Sequence, residues 1–101
     1  MEKKIRLEIV TLSGTALETE CASVQLPLAQ GLAGVLPGHA PLLAVLAPGV
    51  VRYRTADGAR YAAVSGGTAH VLHDRVTLLC TAAGPADSQE EARRLAAQWE
   101  S

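Results

Sequence analysis

A chain of 101 residues holds one compact domain, because at this size folding buries roughly two thirds of the surface that the unfolded chain exposes. Nine basic and ten acidic residues give a net charge of -1, which leaves no positive field to gather phosphates by counterion release, so no nucleic acid partner is expected. Apolar residues make up 49 % of the chain but aromatics only 3 %, with no Phe, so the core must be aliphatic. The longest apolar run, Ala40 to Ala47, is far shorter than the ~20 residues of a membrane span, and the charged start Met1 to Arg6 leads into polar alternation instead of an apolar signal core. A soluble chain without direct membrane insertion is expected. Cys21 and Cys80 lack the short spacing of a zinc or redox motif and read as buried reduced thiols rather than a disulfide.

Lys4 to Val10 alternates strictly, with Ile5, Leu7 and Ile9 on one face, the period of a half-buried strand. Ser13-Gly14 supplies a turn. Ala16 to Leu26 reads as extended again, with Ala22, Val24 and Leu26 on one face, a slip in the alternation at Cys21, and Pro27 as its end. From Leu28 to Pro48 the glycines and prolines are too frequent for a helix or a long strand, which predicts a structured loop with short strands. Asp57-Gly58 between two extended runs predicts a tight hairpin, and Thr68 to Leu72 pairs with Arg75 to Thr81 across His73-Asp74. Short strands about ten residues apart predict an antiparallel sandwich or barrel. Ala82-Ala83-Gly84-Pro85 reads as a linker that cannot continue a sheet. Beyond it the period becomes 3.6: a helix from Ser88 to Glu100 is expected, N-capped by Asp87 with Glu90 three residues on, and with Ala92, Leu95, Ala96 and Trp99 on one face. The expected division is 1–83 for the sandwich and 84–101 for linker and helix.

Catalysis would have to be assembled from Cys21, Cys80, His39, His70, His73 and Asp74, and no local spacing supports it. His70 and His73 are three apart in strand-like sequence, which points them to opposite faces and favours turn histidines over a metal site. No neighbouring base or oxyanion donor accompanies Cys21. Gly31-Leu32-Ala33-Gly34 and Ser65-Gly66-Gly67 do not open a helix carrying Lys and Ser or Thr, so neither is a phosphate cradle. No catalytic residue, metal or cofactor is expected. The unusual feature is a loop with Leu28, Leu32, Val35, Leu36, Leu42 and Leu43 among backbone-stiffening glycines and prolines. It suits a pre-organised protein-binding surface, or these residues plug one end of the sandwich.

The run Gly34-Val35-Leu36-Pro37-Gly38-His39-Ala40-Pro41-Leu42-Leu43 resembles the signature of the epsilon subunit of bacterial-type F-type ATP synthases. Leu7 to Thr11, Pro48 to Arg52, Val64 to Gly67 and Arg75 to Leu79 follow in the family's order, so the resemblance covers about residues 4–83. It implies a mostly β chain: a flattened antiparallel sandwich of about ten short strands followed by one short C-terminal helix. It also implies a non-catalytic central-stalk subunit that couples proton-driven rotation of the c-ring to ATP synthesis by binding the gamma subunit and the c-ring. Such a subunit sits peripherally on the cytoplasmic face of the bacterial inner membrane; the alternative role is regulatory inhibition of ATP hydrolysis. By position, Thr11, Gly38, His39, Ala40 and Leu42 match gamma-facing residues, and Leu28, Ala29, Gln30, Gly31, Leu32 and Ala33 match the ring-facing loop.

Two departures qualify the match. Family members commonly carry Ser-Glu-Gly-Glu-Phe where this chain has Ala29-Gln30-Gly31-Leu32-Ala33, so two acids are missing and an apolar or backbone-mediated ring contact through Leu32 is expected. The chain also resembles a short form without the family's second helix. The Ile-Asp-x-x-Arg-Ala pattern of nucleotide-binding members corresponds to Ala86 to Glu91, with an acid at the arginine position, and no ATP binding is expected.

Overall fold

The computed structural model describes residues 3–99. Ten strands precede one helix: β1 Ile5–Thr11, β2 Gly14–Cys21, β3 Ser23–Leu28, β4 Gly31–Val35, β5 Leu42–Leu46, β6 Gly49–Thr55, β7 Gly58–Val64, β8 Gly67–Leu72, β9 Arg75–Cys80, β10 Ala83–Ala86 and α1 Gln89–Ala97. Hydrogen-bonded neighbours run β10-β7-β6-β3-β5-β8-β9-β1-β2, with β4 branching from β3. The expected mostly β sandwich with a short terminal helix is the architecture found. β3 and β5 share only the pair Leu28 and Leu46, and the sheet folds over at that joint. One layer is therefore β4-β3-β6-β7-β10 and the other β5-β8-β9-β1-β2. All pairs are antiparallel except β1 with β9, which is parallel because the rest of the sandwich forms the crossover between them.

The two-residue period decides what each layer buries. Ile5, Leu7 and Ile9 of β1 are fully buried, as the alternation predicts, and meet Val76 and Leu78 of β9, Val71 of β8 and Leu46 of β5 in one cluster with Val24, Leu26, Val35, Val51 and Val64 of the other layer. Each such side chain contributes about 1.5–3 kcal/mol of transfer free energy. Among the described residues no polar or charged side chain is buried.

Turn chemistry repeats. Thr11 and Thr55 each donate from Oγ1 to the carbonyl of the glycine three residues on, Gly14 at 3.1 Å and Gly58 at 3.3 Å, and each accepts an amide from the intervening residue. Both glycines have positive φ. The hairpin predicted at Asp57-Gly58 is thus present, but its turn residues are Ala56 and Asp57, and Gly58 already pairs with Thr55. At His73-Asp74 both residues have positive φ, 50° and 60°, the signature of a type I′ turn whose twist matches the flanking strands.

Four expectations are corrected. Ala22 is an exposed corner between β2 and β3 rather than part of an inward row, and its amide bonds to the Arg54 carbonyl at 2.7 Å. Pro27 lies inside β3, where its carbonyl accepts from Ala47 at 2.7 Å and its missing N–H forgoes only the reciprocal bond to Ala47, one residue past the end of β5. Ala83–Ala86 is not a linker but an edge strand on β7, a place where Pro85 costs no ladder bond. The helix N-cap is Ser88, not Asp87: its Oγ accepts the Glu91 amide at 3.1 Å. The Ser/Asp-x-x-Glu spacing fits both registers, and the observed one leaves Ala92 and Ala96 buried on the sheet. There they pack with Ala63, bordered by Val50, Leu95 and Trp99, so the predicted apolar face is the one used. Glu100, the expected last helical residue, lies outside the described residues.

Gly67 sets the tightest backbone approach: at φ 144° an added Cβ would stand 1.9 Å from the Leu79 carbonyl oxygen. Gly67→Ala should cost more than about 3 kcal/mol, read as a lower urea midpoint. Gly34→Ala, whose Cβ would meet nothing within 4 Å, should change stability by less than about 0.5 kcal/mol.

Candidate interaction site

The segment between β4 and β5 is held by its own backbone. Val35 is buried and anchors the entrance. His39 then donates its amide to the Leu36 carbonyl at 3.1 Å, closing a turn with Pro37 at its second position and Gly38, at φ 86°, at its third, the geometry of a type II turn. The Gly38 amide points outward and donates to Asp74 Oδ1 at 2.6 Å, while the Asp74 carbonyl accepts the Arg6 amide at 2.9 Å. Asp74 therefore ties this loop, the β8–β9 turn and the start of β1 together. His39 Nδ1 donates to the Ala40 carbonyl at 2.6 Å, which fixes the ring against the loop backbone.

The sequence-predicted site residues divide into three places. Gly38 and Ala40 are exposed on the pinned loop, His39 is half-buried there, and Leu42 begins β5 packed partly against the core. Leu28 to Ala33 form the β3–β4 hairpin tip: Leu28 packs partly on the core, Ala33 is half-buried, and Ala29, Gln30, Gly31 and Leu32 are exposed. This tip lies against β5 through the Ala29 amide, which donates to the Val45 carbonyl at 2.9 Å, and a shallow cavity of about 380 Å3 separates Leu28 to Gln30 from Leu42 to Val45. The two sets are thus neighbours. Thr11 is not with them. It sits at the far end of β1, five positions beyond Arg6 and hence about 17 Å away along the strand.

Sequence reasoning missed what links the ends. Leu43 and Val45 face outward from β5, 73 % and 65 % exposed, because adjacent leucines in a strand cannot both turn inward. Register places Val45 beside Thr68, Thr68 beside Leu79, and Leu79 beside Val10, so one uncharged row crosses the outer face from β5 to the end of β1 near Thr11. The neighbouring row holds Leu43, His70, Thr77 and Glu8. The doubled Leu42-Leu43 was the available signal. The sequence marks Asp74 as a turn residue and one of the scattered candidates for chemistry, and nothing local announces its bond to Gly38, 36 positions away.

The thiols offer no nucleophile. Cys21 and Cys80 are free and buried, and burial raises each from its ordinary 9.0 to about 11, opposite to the activation a catalytic thiol needs. Cys21 Sγ points to the Ile5 carbonyl at 3.8 Å. Among the described residues no three His, Cys, Asp or Glu side chains gather in a way that could hold a metal, and no helix is long and apolar enough to cross a membrane.

Because both thiols stay protonated in the fold while the unfolded chain ionises near 9, their contribution is complete below pH 9 and is lost as pH rises toward 11. Urea titrations should show stability falling across that window, with a shallower fall in a Cys21→Ala/Cys80→Ala variant. Asp74→Gly keeps the positive-φ turn but removes the acceptor for Gly38. It should raise amide exchange at residues 36–40 at least about tenfold and cost only about 1 kcal/mol globally; unchanged exchange there would show that the carboxylate does not hold the loop.

Comparison with known proteins follows the same outline. Residues 4–86 match the family model for the ATP synthase delta/epsilon chain β-sandwich domain. The ATP synthase epsilon chain of Solibacter usitatus is 38 % identical over 97 residues, 96 % of this chain and 72 % of that one, and that of Herpetosiphon aurantiacus is 43 % identical over 89 residues, 88 % of this chain and 65 % of that one. A chain in the cryo-EM structure of the Euglena gracilis mitochondrial ATP synthase, containing OSCP, F1 and c-ring, superposes with a TM-score of 0.75 at 28 % identity, covering 81 % of this chain and 53 % of its own length. A chain of the Tetrahymena thermophila central stalk and c-ring shares the fold, with a TM-score of 0.66 at 13 % identity over 81 % of this chain and 66 % of that one. With its sandwich and its Gly34 to Leu43 segment matched in this way, the chain belongs to the ATP synthase epsilon-chain family.

Proposed function

We propose that this chain is a rotor subunit that joins the gamma subunit to the c-ring of an F-type ATP synthase and carries torque between them. As an epsilon-chain family member it is an accessory subunit of ATP synthase, not an enzyme in itself. The observation that carries the reading is the juxtaposition of a pinned, uncharged loop with an exposed apolar row on one side and a hairpin tip on the other. Gamma docks on Gly38, His39, Ala40 and Leu42 and continues over Leu43 and Val45 toward Val10 and Thr11. Thr11 joins this interface only if the partner spans the whole outer face, because its hydroxyl is already engaged in the β1–β2 turn.

The ring contact is the hairpin tip, Leu28 to Ala33. It carries no carboxylate, so Leu32, 69 % exposed, and the backbone around Gly31 make the contact by apolar packing and amide hydrogen bonds. The Euglena chain that this fold matches lies in an assembly containing F1 and a c-ring, which supports both partners. In that role the subunit lies at the cytoplasmic face of the bacterial inner membrane without entering it.

The test separates the two contacts. His39→Glu with Leu43→Glu should weaken co-purification with gamma at least about tenfold while circular dichroism stays unchanged. Leu32→Asp should weaken retention by the c-ring in detergent and leave gamma binding intact. Undiminished gamma binding by the first variant would sink the loop assignment.

A further inference from the structure

The layer away from the proposed gamma surface holds a second, differently built site. β4 pairs with β3 alone, so its other edge is open among the described residues. Which groups it offers follows from register. The Pro27 carbonyl and the Ala29 amide point toward β5, so odd-numbered residues of β3 face that side and even-numbered ones face β4. Leu28 with Gly31, Leu26 with Ala33 and Val24 with Val35 are then the hydrogen-bonded pairs, and the amide and carbonyl groups of Leu32 and Gly34 face the open edge. Residues 31–35 contain no charge and no proline, the two devices that usually close an edge.

Beside this edge the outer face is chemically uneven. Gly34, Gln25 and Arg52 lie in one cross-strand row, and Ser23 and Arg54 in the next. Gly34 has no side chain and an added Cβ would meet nothing within 4 Å, so it opens a groove of about 390 Å3 lined by Ser23, Gln25, Gly34, Leu36, Arg52 and Arg54. Both guanidinium groups are on exposed residues, and neither forms an ion pair among the described residues, whereas Arg6, Arg60 and Arg75 do. No carboxylate lines the groove.

We infer that the β4 edge and the Arg52–Arg54 groove together form a docking site for an extended, acidic segment of a protein partner. The segment adds a strand beside β4, exchanging hydrogen bonds with Leu32 and Gly34, and sends one carboxylate side chain across Gly34 toward the arginines. An added strand lies three strand spacings from β6, about 14 Å, which a glutamate and an arginine span between them. Leu36 covers the aliphatic part of that side chain. The requirement for both an extended backbone and a carboxylate favours a peptide over a free anion, which the edge could not select. The arginines lie on the layer opposite β5-β8-β9-β1-β2, so the groove is separate from the gamma surface there, whereas the edge at Leu32 is shared with the proposed ring contact and Leu36 borders the gamma loop.

The probe is a dye-labelled heptapeptide of alternating threonine and valine with a central glutamate, followed by fluorescence anisotropy against the whole chain. Saturable binding should weaken at least about tenfold when the central residue is lysine, and the Arg52→Glu/Arg54→Glu variant should reverse the preference. Gly34→Leu fills the groove in a backbone conformation that accepts a side chain and should abolish binding with the fold intact. N-methylation of the peptide amide that pairs with β4 should also remove it. No saturable binding up to millimolar peptide, equal binding of the lysine peptide, or wild-type binding by Gly34→Leu would overturn the proposal.

Discussion

An interior made of aliphatic side chains, with no polar group buried among the described residues, is the constraint on which the rest of this molecule depends. Such a core has no internal chemistry to offer: its thiols are held protonated, and Tyr53 is the one aromatic side chain within it. What it does provide is stiffness, because close-packed Val, Leu and Ile fix the separation and twist of two five-stranded layers. Every capacity to bind must then lie on the two outer faces, the open edges and the turns. The two-residue period makes that division sharp, since each residue turned inward forces its neighbour outward.

The two outer faces use this freedom differently. On β5-β8-β9-β1 the outward residues are Val45, Thr68, Leu79 and Val10 in one row, an uncharged band that gains from being covered, and Leu43, His70, Thr77 and Glu8 in the next, which carries a carboxylate only at its β1 end. Around the groove on β4-β3-β6 the outward residues are Gly34, Gln25, Ser23, Arg52 and Arg54, with Gly34 open and both arginines exposed. Helix α1 covers the far part of that same layer over Ala63, where alanines on both sides allow close approach. One scaffold thus presents a face suited to apolar docking and a face suited to a charged strand, with no change to the core between them.

Much of this was legible in the residues. Ile5, Leu7 and Ile9 declared their face by alternation alone, the Ala92 to Trp99 stripe declared its own by a 3.6 period, and the hairpins announced themselves through Asp-Gly and His73-Asp74. The misplacements share a physical cause, which is that local chemistry was satisfied in more than one way. Pro27 and Pro85 read locally as strand breakers, yet Pro27 sits where the ladder to β5 ends and Pro85 turns its nitrogen to an open edge, facts set by distant pairing partners. Ser88 and Asp87 each had a glutamate three residues on, and packing of Ala92 against β7 chose between them. Asp74 and Gly38 are 36 residues apart, and only the folded layers bring a turn carboxylate to a turn amide.

A subunit that passes torque between two partners must not shear between its two contacts. On the proposed reading, load enters at the hairpin tip and leaves through the 36–43 segment, and the path between them is short. The Ala29 amide is bonded to the Val45 carbonyl, Leu28 and Leu42 pack against the same core cluster, and β5 is laddered to β8 over all five of its residues. The exit end is fixed separately, by the Gly38 amide on Asp74 and the Arg6 amide on the Asp74 carbonyl. A lateral force on the loop is therefore resisted by β1, β8 and β9 together rather than by the loop's own turn. Such bracing is worth little to a loop that only caps one end of a sandwich. It suits a surface that must keep its shape while being pushed.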